Sequence, residues 1–190
     1  ANVLTLLLAG EDTTANTIAW ATKYFIDFPH FLERARDEVD SVLGDHSIPQ
    51  EYVQLGRLDF IEAFANETMR LKPVAPLNAV ETNEPMQILD IELPKNTPII
   101  GLTRHCAVSE KHFSKASEFN PERWIAPTNF STHETKAFMP FGTGPRFCPG
   151  RNLALSEIKM GLAMLVKNFD MALTEGPDNG RESLAFTMSP

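Results

Sequence analysis

Two cysteines in 190 residues, Cys106 and Cys148, are too few for a disulfide framework, and neither has a second thiol near it in sequence to suggest a structural zinc site. A reducing compartment, the cytoplasm, fits that scarcity. Basic residues are also short: 17 Lys and Arg stand against 25 Asp and Glu, a formal charge of -8. That sign excludes a protein that works by neutralising phosphates, so nucleic acid is not an expected partner. Long apolar runs are missing as well. The longest, from Val3 to Ala9 with only Thr5 interrupting it, falls far short of the roughly 20 residues a membrane span requires. What the chain does have is 43% hydrophobic residues, enough for one domain of ordinary size to bury a core and too many for a disordered chain.

Prolines divide the sequence. Twelve of 14 follow Lys72, and ten lie between Pro73 and Pro149, so helix-rich ends flank an irregular middle. Residues 3–26 carry Leu4, Leu7, Leu8, Ile18, Ala21 and Phe25 at helical spacing, which predicts one long, largely buried helix. Pro29 in a first turn, a stripe through Leu32, Ala35, Val39, Val42 and Leu43, and Gly44 as a stop predict a second. A third runs from about Leu58 to Leu71 and is ended by Pro73. Short strands are expected around Ile88, Ile91, Ile99 and Ile100. A fourth helix should start at Pro149, striped by Leu155, Ile158, Leu162 and Leu165, and the alternation of Phe169, Met171 and Leu173 predicts a strand after it. Leu184 to Met188 reads as a strand with no partner following. The class is mainly α with small antiparallel β elements. The chain opens on Ala1 already inside an element and stops abruptly at Pro190, as a piece truncated at both ends would.

Three segments carry chemistry. In Ala9-Gly10-Glu11-Asp12-Thr13-Thr14 a poor helix former and two β-branched hydroxyls interrupt the first helix, and the Thr13 hydroxyl can bond the carbonyl of Ala9 and open room for water or a small ligand. The alternative is a strand over Val3–Ala9 followed by a helix that Asp12 or Thr13 caps. In the third helix Phe60, Phe64, Glu67 and Leu71 share a stripe, so Glu67 points where apolar side chains point and requires a partner, which Arg70 can supply. The alternative is an exposed pair of about a few tenths of a kcal/mol. Arg123 is a further candidate partner. Finally, Phe141-Gly142-Thr143-Gly144-Pro145-Arg146-Phe147-Cys148-Pro149-Gly150 leads into the fourth helix. With Pro149 at the first helical position, Cys148 becomes the N-cap, where free amides stabilise a thiolate, and Arg146, two residues earlier in an extended loop, can hold an anion beside it. A small buried hydrophobe is the alternative for this cysteine.

Together and in this order these segments resemble the C-terminal, haem-binding half of a cytochrome P-450, the haem-thiolate monooxygenases. Phe141-x-x-Gly144-x-Arg146-x-Cys148-x-Gly150 matches the haem-binding signature at every defined position. Ala9-Gly10-x-Asp12-Thr13-Thr14 matches the oxygen-activation segment, Glu67-x-x-Arg70 the K-helix motif, and Pro121-Glu122-Arg123-Trp124 the meander. The resemblance implies a partial domain over 1–190, with the distal helix at 1–28, the K helix at 58–72, the meander at 119–124, the cysteine loop at 141–150 and the following helix at 149–168. It makes Cys148 the axial ligand of the iron of haem b, Arg146 the partner of a propionate and Phe141 the cover of the thiolate side, with Gly144 and Gly150 permitting close approach. Ala9 and Gly10 would border the oxygen pocket. Asp12 and Thr13 would deliver protons through water to oxygen activated at the haem, and Glu67, Arg70 and Arg123 would form a structural network.

The implied reaction inserts one atom of O2 into a small, hydrophobic organic substrate with electrons drawn from NAD(P)H through a ferredoxin, a flavodoxin or a flavoprotein reductase. Basic residues such as Arg151 and Lys159 are candidates for meeting that donor. The stretches Val74–Val80 and Glu175–Glu182 are candidate substrate contacts, and an anchor would lie upstream. Asn78 departs from the family, where many relatives carry Arg or His. The rivals are a peroxygenase or isomerase relative, a thiol hydrolase using His105 or His133 with Cys148, and a haem-free remnant.

Overall fold

A computed structural model describes residues 2–173, 182–184 and 187–190. Seven α-helices and six short strands appear among them: α1 Asn2–Asp27, α2 Pro29–Leu43, α3 Tyr52–Leu55, α4 Asp59–Leu71, β1 Asn78–Glu81, β2 Met86–Ile88, β3 Ile91–Leu93, β4 Pro98–Gly101, α5 Thr103–Ala107, α6 Glu122–Ile125, α7 Arg151–Asn168, β5 Ser183–Leu184 and β6 Met188–Ser189. The expected class, mainly α with small antiparallel sheets, is what forms. The strands make three two-stranded antiparallel ribbons, β1 with β4, β2 with β3 and β5 with β6.

Local sequence explains the helix ends. Pro29 opens α2, and Gly44 closes it at φ 58, with its N–H on the Asp40 carbonyl. The α4 helix has no cap of its own. Glu38 on α2 supplies one, accepting the free N–H groups of Phe60 at 2.6 Å and Ile61 at 3.0 Å, which ties two helices through an orphan-donor site. The core lies where α1, α2, α4 and α7 meet. Ala35, Val39 and Leu43 of α2, Phe60, Phe64 and Leu71 of α4, and Ile158 and Leu162 of α7 are buried, as their stripes predict, whereas Leu155 and Leu165 are half-buried and Val166, outside the predicted stripe, is buried. Aromatic rings lock it: Phe25 stacks on Phe64 with centroids 3.8 Å apart, and Tyr24 on Phe119 at 4.0 Å. Burial holds the Tyr24 phenol well above its ordinary pKa. Helix α7 lies so close to α1 that a Cβ on Gly161 would stand 3.0 Å from Ile18 Cδ1.

Four expectations are corrected. The first helix is continuous through Gly10, which rules out the strand at its start, but only its second half is buried; Leu4, Leu7 and Leu8 are exposed because no core among the described residues covers them. The fourth helix begins at Arg151 with Gly150 as N-cap, so neither Pro149 nor Cys148 has the place expected of it. No strand forms over 169–173: Met171 packs on the core while Phe169 and Leu173 remain exposed, so the alternation has no second strand to serve. The strand at Leu184 does have a partner: β5 pairs antiparallel with β6, Leu184 opposite Met188. No helix among the described residues is long and apolar enough to cross a membrane.

Candidate functional site

The cysteine loop turns on two glycines. Gly142 and Gly144 both sit at φ 68, a conformation that costs other L-residues energy, and this lets the loop double back on itself. The N–H of Cys148 donates to the Phe141 carbonyl at 2.8 Å, and the Cys148 carbonyl accepts the N–H of Arg151 at 3.3 Å. The backbone of Cys148 is therefore held on both sides, while its half-buried sulfur has no hydrogen-bond partner among the described residues. A Cβ on Gly150 would stand 3.8 Å from that sulfur, at ordinary van der Waals contact. Arg146 is not in an extended segment: it ends a 3₁₀ turn, Gly144–Arg146, and is exposed with no ion pair among the described residues. Phe141 is half-buried and Phe147 exposed. A soft sulfur donor with no partner, a neighbouring unpaired guanidinium and a loop with no side chain at Gly142, Gly144 or Gly150 fit a thiolate-ligated, flat, anionic cofactor such as haem b.

On α1 the Thr13 hydroxyl donates to the Ala9 carbonyl at 2.7 Å, the back-bond expected from the sequence, and Thr17 repeats it onto Thr13 at 2.9 Å. The ladder does not open into a break. Instead, the Gly10 side of the helix is open, with no atom of another described segment within 4 Å of where a Cβ would be, and Ala9 beside it is exposed. The Asp12 carboxylate accepts a hydrogen bond from Thr187, a partner 175 residues away that sequence reasoning missed. No hydrogen bond or ion pair joins Asp12 or Thr13 to the cysteine loop among the described residues.

The third group is fully assembled. Arg70 grips Glu67 with two bonds, Nε to Oε2 at 2.9 Å and a terminal nitrogen to Oε1 at 2.8 Å, the bidentate geometry that suits a planar guanidinium. Its other nitrogen donates to the carbonyls of Ala107 at 2.8 Å and Ala116 at 2.7 Å. Arg123 reaches Glu67 Oε1 at 3.4 Å and the carbonyl of Ser114 at 3.0 Å. Glu67, Arg70 and Arg123 are each 0% exposed, which overturns the exposed-pair alternative. Burial lowers the pKa of Arg123, opposed by the Glu67 charge. Two further donors to Glu67 went unpredicted, the Asn120 N–H at 2.9 Å and the Trp124 indole at 3.0 Å. The second had a visible signal: a tryptophan beside Arg123 carries an N–H that must find an acceptor once its ring is packed.

The remaining candidates sort simply. Lys159 is buried and paired with Glu62 at 2.5 Å, so it is not free to meet a redox donor, whereas Arg151 is exposed. Asn78 is exposed at the start of β1, paired with Gly101. In Val74–Val80 the Val74 carbonyl accepts the N–H of Met188 at 2.9 Å. Of Glu175–Glu182 only Glu182 lies within the described residues. Cys106 packs beside Phe113 and Ala116, a plain core position.

Known proteins are similar to this chain in sequence and fold. The chain matches the family model of cytochrome P450 over residues 1–190. It is 34% identical over 172 residues to cytochrome P450 71B25 of Arabidopsis thaliana, covering 90% of this chain and 34% of that protein. To the self-sufficient cytochrome P450 monooxygenase CYP505E3 of Aspergillus terreus it is 36% identical, covering 90% of this chain and 16% of that one. Its fold superposes on the crystal structure of the cytochrome P450DA heme domain with a TM-score of 0.86 at 30% identity, over 99% of this chain and 41% of that one. The chain thus spans about a third or less of the length of these curated relatives. With the family model matched from end to end and the cysteine loop, the buried Glu67 network and the threonine-bearing helix in one fold, the chain belongs to the cytochrome P450 family.

Proposed function

We propose that the protein carrying this segment is a haem-thiolate monooxygenase, which inserts one atom of O2 into a small hydrophobic substrate and reduces the other to water with two electrons. The observation that carries this reading is Cys148: its backbone is held by Phe141 and Arg151, while its sulfur is left without a partner. Haem bound there supplies the redox and oxygen-activating chemistry. Cys148 would hold the iron through its sulfur, Arg146 would offer its unpaired charge to a propionate, and Phe141 would lie beside the thiolate. Gly144 and Gly150 let the loop lie close.

The open side of α1 at Ala9 and Gly10 would leave room for a diatomic ligand and water. Thr13 donates its hydroxyl proton to Ala9, so its oxygen lone pairs are free to accept from water. Asp12, exposed on the same turn, holds a carboxyl that exchanges protons with solvent. Glu67, Arg70 and Arg123 take no part in the chemistry and brace the fold. Electrons come from NAD(P)H through a ferredoxin, a flavodoxin or a flavoprotein reductase, and the self-sufficient relative, whose name makes it a monooxygenase, supports that class of reaction.

The test is spectroscopic and uses the full family-length protein. The reduced carbonyl complex should show the red-shifted Soret band of thiolate ligation, Cys148→His should abolish it, and Cys106→Ser should keep it. Retention of the band in Cys148→His removes the assignment. Product that requires O2 and reductant, and that peroxide alone does not sustain, separates the monooxygenase from a peroxygenase.

A further inference from the structure

The geometry points to Thr187 as the positioning residue of the Asp12 carboxylate, an inference that rests on the reading of Asp12 as the proton-delivering acid. The Asn16 side-chain amide donates to Thr187 Oγ1 at 2.8 Å, and the Thr187 hydroxyl donates onward to Asp12 Oδ2. That order fixes the direction of every proton in the chain. An amide N–H can only donate, so the hydroxyl oxygen is the acceptor from Asn16 and its single hydrogen is committed to the carboxylate. Asp12 keeps Oδ1 with no partner among the described residues, and this is the oxygen left to take a proton from water and pass it on.

Thr187 is itself a fixed point. It is 7% exposed, beside β6, and the paired strands β5 and β6 are fastened at three points. The Trp20 indole donates to the Met188 carbonyl at 3.2 Å, the Met188 N–H donates to Val74 at 2.9 Å, and Glu182 at the other end of the hairpin is gripped by Arg104 at 2.7 Å and Lys72 at 2.5 Å. Asp12, Asn16 and Trp20 fall at i, i+4 and i+8, one face of α1, so a single helical stripe holds the hairpin and receives its hydroxyl. An exposed aspartate without this contact would sample several rotamers. With it, the carboxyl plane and the identity of the free oxygen are set before substrate arrives.

The experiment uses the full-length, haem-loaded protein and four variants: Thr187→Val, which keeps the shape and removes the hydroxyl, Thr187→Ser, which restores it, Asp12→Asn, and the double variant Thr187→Val with Asp12→Asn. Thr187→Val should lower turnover roughly tenfold, the weight of one charge-assisted hydrogen bond, with substrate KM little changed, and Thr187→Ser should recover most of it. In the Asp12→Asn background Thr187→Val should have no further effect. A readout without turnover accompanies these: the Asp12 carboxylate band of the resting protein, identified by its loss in Asp12→Asn, should shift in Thr187→Val and return in Thr187→Ser. If Asp12→Asn slows turnover while Thr187→Val leaves rate and band unchanged, the positioning role is overturned and the acid stands. Additive losses in the double variant also overturn it. If Asp12→Asn itself has no effect, the reading of Asp12 as the acid fails, and the positioning role with it.

Discussion

Removing the Glu67 carboxylate should destabilise the protein rather than slow its chemistry. Its two oxygens accept from five donors: Arg70 Nε, a terminal Arg70 nitrogen, Arg123 Nε, the Asn120 N–H and the Trp124 indole. Two of those donors' side chains are guanidiniums with no exposure to water, so the cluster already carries one net positive charge in the interior. Glu67→Ala raises that to two. Arg70 keeps the carbonyls of Ala107, Ala116 and Glu118, and Arg123 those of Ser114 and Lys115, but carbonyl dipoles do not neutralise a charge. Breaking a buried pair by deleting one partner costs about 3–5 kcal/mol, against a whole-protein stability of roughly 5–15 kcal/mol.

Glu67→Gln separates charge from shape. The amide fills the same volume, and its oxygen can still accept from one arginine, but its NH2 then faces the other guanidinium. A loss of about 2–3 kcal/mol follows, between the parent and Glu67→Ala. Equilibrium unfolding in urea, fitted with a common slope for the three full-length proteins, measures both values. The reasoning is refuted by a Glu67→Ala protein within about 1 kcal/mol of the parent, or by one with a normal haem spectrum and stability but slowed turnover, because either would move Glu67 from bracing to chemistry.

Thr13→Ala should keep haem and substrate binding while diverting electrons to peroxide, since the open side of α1 survives and the water-accepting oxygen does not; product formed per NAD(P)H consumed is the quantity to compare, and an unchanged ratio removes Thr13 from the relay. His133 should make the fold acid-sensitive. Burial, the main cause, and the Arg123 charge hold its pKa below the ordinary 6.5, and its Nδ1 is buried with no hydrogen-bond partner. The unfolded chain therefore binds the proton more readily, so the contribution of neutral His133 is complete above about pH 6.5 and is lost as pH falls from there through the folded value. His133→Phe should flatten that part of the stability profile, and parallel profiles for parent and variant would contradict it.

Much of the architecture was legible because it rests on short-range signals. The α2 and α4 helices follow from stripes bounded by Pro29, Gly44 and Pro73, and the Thr13 back-bond from a hydroxyl four residues beyond a carbonyl. The start of α7 was not legible, because Pro149 suits a first helical turn and an ordinary turn equally, and the choice was made by Gly150 taking the cap while Cys148 closed a turn onto Arg151. Nor could sequence reveal which main-chain carbonyls face Arg70 and Arg123. Every residue owns a carbonyl, and only the path of 107–118 aims those of Ala107, Ser114, Ala116 and Glu118 inward. The Asp12–Thr187 contact joins positions too far apart for any spacing rule.

The later start of α7 changes how the thiol is prepared. A cysteine at the N-cap would face first-turn amides and the helix dipole, and its acidity would come from them. Cys148 lies two residues before that cap, its own N–H spent on Phe141 and its carbonyl on Arg151, so what the loop fixes most firmly is the place of the sulfur. Placement then passes into the core through α7. Lys159 ties the helix to Glu62 on α4, Lys167 ties it to Asp40 on α2 at 2.6 Å, and Gly161 lets α1 approach at Ile18, five residues beyond Thr13. Among the described residues α1 and the cysteine loop make no direct polar contact, yet both are referred to one packed surface. A cofactor held between them would meet two walls whose separation is set by the α1–α7 interface rather than by the cofactor itself, which is what preorganising a site for a bound planar group requires.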